Sequence, residues 1–347
     1  KEFPKRKDDG SVTDGSVRNI YHVGFGWGAL DKVMLAIWGK RMALKLNKIY
    51  DYDAVWSIMA SQASIAASRF KKFTGKKLIL TLQEGDEEEH LMRYTLGNKF
   101  LYNKIIKPYH QLVFKKADIV TVISKHLKKR ALDNGVEESK IKIIPNAVDI
   151  HIFSKKYNKQ APEITREALN IKDDEKVIIT VSRLVEKNGL EYLIDAVGLL
   201  NKEQKIKLII CGTGDEEEKL KKLVINNNIK DKVLFLGNID HKKIPQYLWL
   251  SNVFCRPSLS EGLGNVFLEA MVAGLPVVAT SVGGIPDFLE DGETGWFCKV
   301  RDSKSIAEKI NYILDERNKE EVKKIKENAE RLVQEKYNWG LITKKMK

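Results

Sequence analysis

Cysteine is scarce. Three stand in 347 residues, at positions 211, 255 and 298. An odd and widely spaced set excludes a disulfide framework, and its spacing fits no zinc site. A reducing cytoplasm is therefore the expected setting. Long apolar runs are missing too. None approaches the roughly 18 residues of a membrane span. The best stretch, Phe267–Thr280, is broken by Glu269, Gly274 and Pro276. The chain starts without Met and shows no signal-peptide pattern. It carries no internal repeat and no low-complexity tract. Clusters of His, Cys, Asp and Glu at metal-ligand spacing are also lacking, so no metal and no cofactor are expected.

What is present fits a soluble globular chain, with 43% hydrophobic and 31% charged residues. At 347 residues it exceeds what one hydrophobic core usually serves, so two domains are expected. The net charge is +13, and it is uneven. Residues 1–155 hold 28 Lys/Arg against 17 Asp/Glu, whereas residues 156–347 hold 32 against 30. A basic half points to an anionic partner such as a membrane surface, a lipid phosphate or nucleic acid; a solvated Lys-rich surface is the alternative. "RFKKFTGKK" (Arg69–Lys77) and "FLYNKIIKPYHQLVFKK" (Phe100–Lys116) mix basic and aromatic residues, which suits an anionic membrane. The apolar positions of the second stretch suit packing on a sheet equally well.

Short β-rich runs alternate with helical patterns. Ala54–Met59, Lys77–Leu82, Ile119–Ile123 and Lys140–Ile144 read as strands of the first half. Lys176–Ser182, Lys207–Cys211, Val233–Leu236, Val253–Arg256 and Pro276–Thr280 read as strands of the second. Helical patterns between them predict two parallel sheets covered by helices. The polar stretch Lys155–Thr165 reads as the linker, and Asp302–Glu335 as one long charged helix. Tyr337, Trp339, Leu341 and Ile342 then form an apolar cluster that must bury itself. Near the start, Ile20–Gly24 and "FGWGA" give a G-x-G-x-G turn, a weak phosphate-loop signal that is better read as a tight strand-to-helix turn.

The chemistry concentrates in "SEGLGNVFLEA" (Ser260–Ala270), just after the strand Val253–Arg256. Open parallel sheets bind ligands beyond the carboxyl ends of their strands. Gly262 and Gly264 let backbone approach a ligand, and the N–H groups of Gly264, Asn265 and Val266 open a helix that favours a phosphate. Glu261 and Glu269 are poor phosphate ligands but good acceptors for paired hydroxyls. The combination suits a ligand with a phosphate and two sugars. Alternatively Glu261 is an N-cap-like residue and Glu269 a solvated helix residue. At a second strand end, "SRLVEKNG" places Arg183 and Lys187 where they can neutralise a diphosphate.

These segments carry a resemblance. "SRLVEKNGLEYLIDA", "ICGTGDEEEKL", "FLGNI", "PSLSEGLGNVFLEAMVAGLPVVATSVGGIPDFLEDGETGWF" and "IIPNAVDIHIF" resemble the retaining, GT-B-fold glycosyltransferases of family 4. Glu261 and Glu269 match that family's E-x7-E motif, and "ADIVTVISKHLKKRAL" extends the likeness into the first half. The resemblance implies an α/β fold of two Rossmann-like domains whose parallel sheets face across a cleft. Residues 1–155 would bind the acceptor and 156–336 the nucleotide sugar, and a terminal helix at 337–347 would return to the first domain. It implies Arg183 and Lys187 on the donor diphosphate and Glu261 on the donor sugar. Gly264, Asn265 and Val266 would offer N–H groups, and Glu269 would take the ribose. Gly212 and Gly214 look like a close-approach turn beside the nucleotide, or a tight strand-to-helix turn. The implied partners are a nucleotide-sugar donor and a sugar or lipid-linked acceptor, with no nucleic acid. The implied setting is the cytoplasm or the inner face of the membrane.

The first ~50 residues depart from the family's opening pattern, so the first domain is expected to be incomplete or divergent. The family often places a His at a strand end of the first domain; here "SIMASQ" and "TLQEGDEEEH" offer Gln83, Glu84, Asp86 and His90 instead. Competing classes are weaker. A nicotinamide-dependent dehydrogenase needs a G-x-G-x-x-G and an acid on the next strand, which the second half lacks. A nucleic-acid binder needs a concentrated basic and aromatic module. A catalytically inactive nucleotide-sugar-binding relative remains the alternative.

Overall fold

The alternation of apolar strands and helices is realised twice. In a computed structural model, residues 29–83, 98–101, 103–104, 107–157, 164–200 and 205–346 are described. They group into two compact units. The first takes in residues 29–83, 98–122 and 128–142; the second takes in 123–127 and 143–346. Among the described residues no helix is long and apolar enough to cross a membrane.

The first unit holds a four-stranded sheet in the order β1 (Ala54–Ile58), β2 (Lys77–Leu82), β3 (Ile119–Val122), β4 (Ile141–Ile143). β1, β2 and β3 run parallel. Leu78, Leu80 and Leu82 on β2 and Val120 and Val122 on β3 are buried, as expected of a sheet covered by helices. The helices are α1 (Ala29–Tyr50), α2 (Gln62–Thr74), α3 (Lys107–Lys116) and α4 (Lys125–Asp133). α2 stops at Gly75, whose φ of +70° is the left-handed cap a glycine adopts without strain; its N–H returns to Lys71 O at 2.8 Å.

The basic and aromatic stretches of this unit divide. Val113 and Phe114 are buried in the core, so this part of α3 packs inward. Lys71 pairs with Asp118 at 2.6 Å and Lys76 with Asp51 at 2.8 Å. Lys72 and Lys77 stay exposed, as do Phe73 and Phe100, and Lys40 lies over the Phe73 ring.

The second unit holds six strands, β5 (Lys176–Val181), β6 (Ile206–Cys211), β7 (Val233–Gly237), β8 (Val253–Arg256), β9 (Val277–Thr280) and β10 (Trp296–Cys298). All pairs are parallel. Their order is β10-β9-β8-β5-β6-β7. Counted from β5 this is the doubly wound order, and the winding reverses between β5 and β8. Helices α5 (Leu190–Leu199), α6 (Glu217–Asn226), α7 (Ile244–Trp249), α8 (Asn265–Val272) and α9 (Ser303–Leu314) alternate with the strands. A core of Ile178, Leu193, Leu208, Val253, Val278, Ile306 and their neighbours is closed to solvent. Cys211, Cys255 and Cys298 are free and buried, the last two within this core. Burial pushes the Cys211 and Cys298 thiols up to about 12, which leaves them unreactive.

Three expectations change. β10 is an additional strand, only three residues long and without a readable period. The long terminal helix is two helices, α9 and α10 (Lys319–Lys336). Asp315 leaves helical geometry at φ −75°, ψ 119°, and its carboxylate accepts from Arg317 N–H at 2.9 Å, capping the next turn. The apolar cluster that follows is only partly buried: Tyr337 and Ile342 are closed off, while Trp339 on α11 (Trp339–Met346) is 52% exposed. Tyr337 packs edge-on against Phe288 within the second unit, with 6.4 Å between centroids. The strand Ile20–Gly24, the glycine turn at 25–28, Glu84, Asp86, His90 and linker residues 158–163 lie outside the described residues.

Candidate active site

The carboxyl ends of the second sheet are sewn together by backbone hydrogen bonds. Ser182 N–H donates to Cys211 O at 3.0 Å, Leu184 N–H to Thr213 O at 2.9 Å and Gly212 N–H to Gly237 O at 2.7 Å. Across the reversal point, Leu259 N–H donates to Lys187 O at 2.7 Å; beyond it, Gly284 N–H after β9 donates to Glu261 O after β8 at 3.1 Å. The loops after β5 to β9 thus form one rim, and the sequence-predicted residues sit on it.

Gly212 has a structural reason for its identity. Its φ is +135°, and a Cβ there would lie 1.8 Å from Ser182 O. No other residue lets the β6 loop approach the β5 loop, so the tight-turn reading holds whether or not a ligand also lies there. Gly264 is similar: φ is +85°, and a Cβ would meet the Phe267 ring at 2.5 Å. Gly264 is also the N-cap of α8, and no side chain caps that helix. The first-turn N–H groups of Asn265 and Val266 therefore keep their partial positive charge for an incoming acceptor.

The two glutamates are not solvated helix residues. Glu269 is 8% exposed on α8, and Glu261 lies on the loop before the N-cap rather than at it. Between their charges stands Arg256, the last residue of β8, only 6% exposed. Its Nη2 donates to Glu261 Oε2, and its Nε to Ser258 Oγ at 3.1 Å. Its guanidinium lies over the Phe267 ring, 4.4 Å from the centroid. Glu261 Oε1 accepts the Gly262 N–H at 2.9 Å, so both carboxylate oxygens are held. Burial pulls the Arg256 guanidinium down from its ordinary value, while Glu261 and Glu269 pull it back up. Arg256 stays charged, because arginine does not lose its proton in proteins.

Glu269 has a second neighbour. His241, in the turn after β7, puts Nε2 3.0 Å from Glu269 Oε1. Burial pushes the Glu269 carboxyl above the usual carboxylate range, and His241 and Arg256 oppose that shift. Arg256 thus pairs with Glu261 and lies within the field of Glu269, which in turn pairs with His241.

Two buried polar atoms on this rim lack a protein partner, Ser182 Oγ at the end of β5 and Asn265 Oδ1 in the first turn of α8. A buried hydroxyl or amide without a hydrogen bond costs about 1–3 kcal/mol, so each calls for a partner that water or a polar ligand can supply. Arg183 is exposed and Lys187 half-buried, on the loop that follows Ser182. The structure therefore gathers Arg183, Lys187, Gly212, Glu261, Gly264, Asn265, Val266 and Glu269 on one rim. Sequence reasoning missed Arg256 and His241. A charged residue ending an apolar strand was the available signal for the first; the second had none.

In the first unit, the ends of β1 and β2 carry a hydroxyl network. Thr81 Oγ1 accepts from Trp56 Nε1 at 2.7 Å and lies 2.6 Å from Thr121 Oγ1. Met59, just past β1, holds φ at +64°, a strained value for its side chain. Gln83 is exposed. Among the described residues, no group of three or more His, Cys, Asp or Glu is placed to hold a metal.

Comparison with known proteins gives a consistent answer. The family described as Glycosyl transferases group 1 matches residues 162–332, and Glycosyltransferase Family 4 matches residues 4–152. A glycosyltransferase of Methanocaldococcus jannaschii, MJ1069, is 30% identical over 319 residues, 88% of this chain and 76% of the relative. A second from that organism, MJ1607, is 32% identical over 249 residues, 70% of this chain. The chain spans only 63% of the length of MJ1607. Among solved structures, Anabaena Alr3699/HepE in complex with UDP has a TM-score of 0.75 at 20% identity, covering 88% of this chain and 80% of that one. At that identity the likeness shows a shared fold, the two-domain GT-B architecture. With both halves matched and a relative 30% identical across most of its length, the chain belongs to the group 1, family 4 glycosyltransferases.

Proposed function

We propose that this protein transfers a hexose-type sugar from a nucleoside-diphosphate sugar to an acceptor hydroxyl, with retention of anomeric configuration, in polysaccharide or glycolipid synthesis. The observation that carries the reading is the group Glu261, Arg256 and Glu269 beside the uncapped start of α8, at the point where the sheet's winding reverses. Family membership supports it, and so does the UDP carried by the Anabaena neighbour.

In this reading Glu269 accepts from the ribose hydroxyls and Glu261 from the donor sugar. The N–H groups of Asn265 and Val266 receive the diphosphate. As the bond to the anomeric carbon lengthens, charge collects on the departing diphosphate, and Arg183 and Lys187 stabilise it. The acceptor attacks from the face the diphosphate leaves, and the departing phosphate oxygen takes the acceptor proton. No carboxylate nucleophile and no metal are required. The acceptor belongs to the first unit. Exposed Phe73 and Phe100 with Lys72 and Lys77 favour an anionic lipid surface on the cytoplasmic side and a lipid-linked acceptor.

Incubation with labelled UDP-, GDP-, ADP- and CDP-sugars, with and without lipid extract, tests the proposal. Transfer from one donor is expected, with the anomeric configuration kept by NMR. Inversion would sink the mechanism. Nucleotide binding without transfer to any acceptor would favour an inactive sugar-nucleotide-binding relative.

A further inference from the structure

His241 lies outside the motif that identifies the site, yet it is the partner of the site's buried carboxylate. Its Nε2 stands 3.0 Å from Glu269 Oε1. The two partners differ in setting: the His241 side chain is 68% exposed, the Glu269 side chain 11%. An imidazole so exposed adds little to packing. A hydrogen bond to it changes the stability of the fold only slightly. It does fix the orientation of the carboxylate plane.

The imidazole is itself held. Its ring lies 5.2 Å from the Phe153 ring at 56°, and Phe153 is 1% exposed. Phe153 O accepts from Trp249 Nε1 at 2.8 Å, tying that turn to α7. The backbone on the far side of His241 is fixed by Asp240, whose carboxylate accepts from Lys242 N–H at 3.0 Å. A buried aromatic ring therefore backs an exposed imidazole, which steadies a buried carboxylate. His241 takes one acceptor direction of Oε1. The remaining acceptor directions of Glu269 have a set geometry, and a fixed pair of carboxylate oxygens is what a vicinal diol requires.

We propose that His241 is a positioning residue that orients Glu269 for the 2′,3′-diol of the donor nucleotide, and so sets the preference for ribo- over deoxyribonucleotides. The proposal rests on the reading of Glu269 as the ribose acceptor. It assigns His241 no contact with the reacting atoms.

The test measures affinity by calorimetry for UDP, GDP, ADP and CDP and for the 2′,3′-dideoxy form of each. Wild type, His241→Ala, His241→Gln and Glu269→Gln are compared. For the base that wild type prefers, the ribo form is expected to bind about tenfold or more tighter than the dideoxy form. His241→Ala should weaken the ribo form about tenfold, leave the dideoxy form unchanged and keep the melting temperature. His241→Gln keeps an amide donor and should restore part of the preference. Glu269→Gln should lose most of it. If Glu269→Gln loses the preference while His241→Ala keeps it, the inference is wrong and the ribose reading stands. If Glu269→Gln keeps it, the ribose reading fails first, and the same holds if wild type binds none of the four. Equal weakening of ribo and dideoxy forms in His241→Ala would reduce His241 to a structural part. Tighter binding of the ribo form would make it a competitor for Glu269, and either outcome overturns the proposal.

Discussion

Replacing Arg256 by Met isolates the role of the buried guanidinium. The change keeps an unbranched side chain of similar reach and removes the charge. The Arg256 side chain is 7% exposed and that of Glu261 is 19%, so the pair is buried, though unevenly. Removing one partner of a buried pair costs about 3–5 kcal/mol, because the other charge is left uncompensated. Glu261 still keeps the Gly262 N–H and some water, which places Arg256→Met near the lower end, at about 3 kcal/mol. The lost guanidinium–Phe267 contact adds little, since a thioether also packs well on an aromatic ring. Glu261→Met leaves the more deeply buried charge behind, with only the field of Glu269 to offset it. It should cost at least as much. The double variant removes both charges and leaves an apolar contact, which is often close to neutral. With single costs of about 3 kcal/mol each and a double variant close to neutral, the coupling energy is expected at about 6 kcal/mol in magnitude. Urea unfolding followed by circular dichroism gives it, provided the slope with urea is the same in all four proteins. Single-variant costs that add to the double within about 0.5 kcal/mol would refute the reasoning.

Arg183→Ala and Lys187→Ala should each reduce turnover with a confirmed donor by an amount equivalent to about 2–4 kcal/mol, with unfolding midpoints little changed; wild-type rates in both would remove them from the diphosphate. Donor affinity should also depend on pH. Burial raises the Glu269 carboxyl in the folded protein, so its charged form, the better acceptor, is lost as pH falls through a range above the ordinary carboxylate value. The linkage sign for stability is the reverse: folding holds the proton more tightly, so this group favours the fold at low pH and that contribution is lost as pH rises through the raised value. Nucleotide titrations from pH 4.5 to 7.5 check the first statement, and affinity that is flat over that range in wild type would contradict it.

Much of the second unit was legible because each strand is a short apolar run bounded by Gly, Pro or charged residues. Val253–Arg256 there, and Lys77–Leu82 in the first unit, have the ends expected of them. What escaped did so for physical reasons. β10 is three residues long, too short for any period, and exists because Trp296 to Cys298 pair with β9. The break at Asp315 was hidden because Asp also suits an exposed helix face; only its ψ of 119° shows the cap. The basic stretch Phe100–Lys116 was ambiguous for the same reason that α3 is amphipathic. Its Val113 and Phe114 went to the core, and Phe100 went to solvent.

Arg256 was overlooked in the sequence although it ends an apolar strand, and it resolves a conflict within the site. In the proposed reading the donor brings a diphosphate and is anionic, while the site presents carboxylates to sugar hydroxyls. Glu261 and Glu269 alone would repel such a ligand, and inside a protein that repulsion is several times stronger than in water. In that reading surface cations such as Arg183 answer the diphosphate but leave the partly buried Glu261 and the buried Glu269 uncompensated. A guanidinium at the end of β8, in contact with Glu261 and within the field of Glu269, cancels part of their charge without consuming all of their acceptor directions. Its own desolvation is offset by Ser258 and the Phe267 face. Lysine would serve less well, because its compact ammonium lacks the planar fork that reaches Glu261 and Ser258 together. In the proposed reading, the strand end that looked in the sequence like the mere close of an apolar run is what allows two acidic residues to sit beside a polyanion.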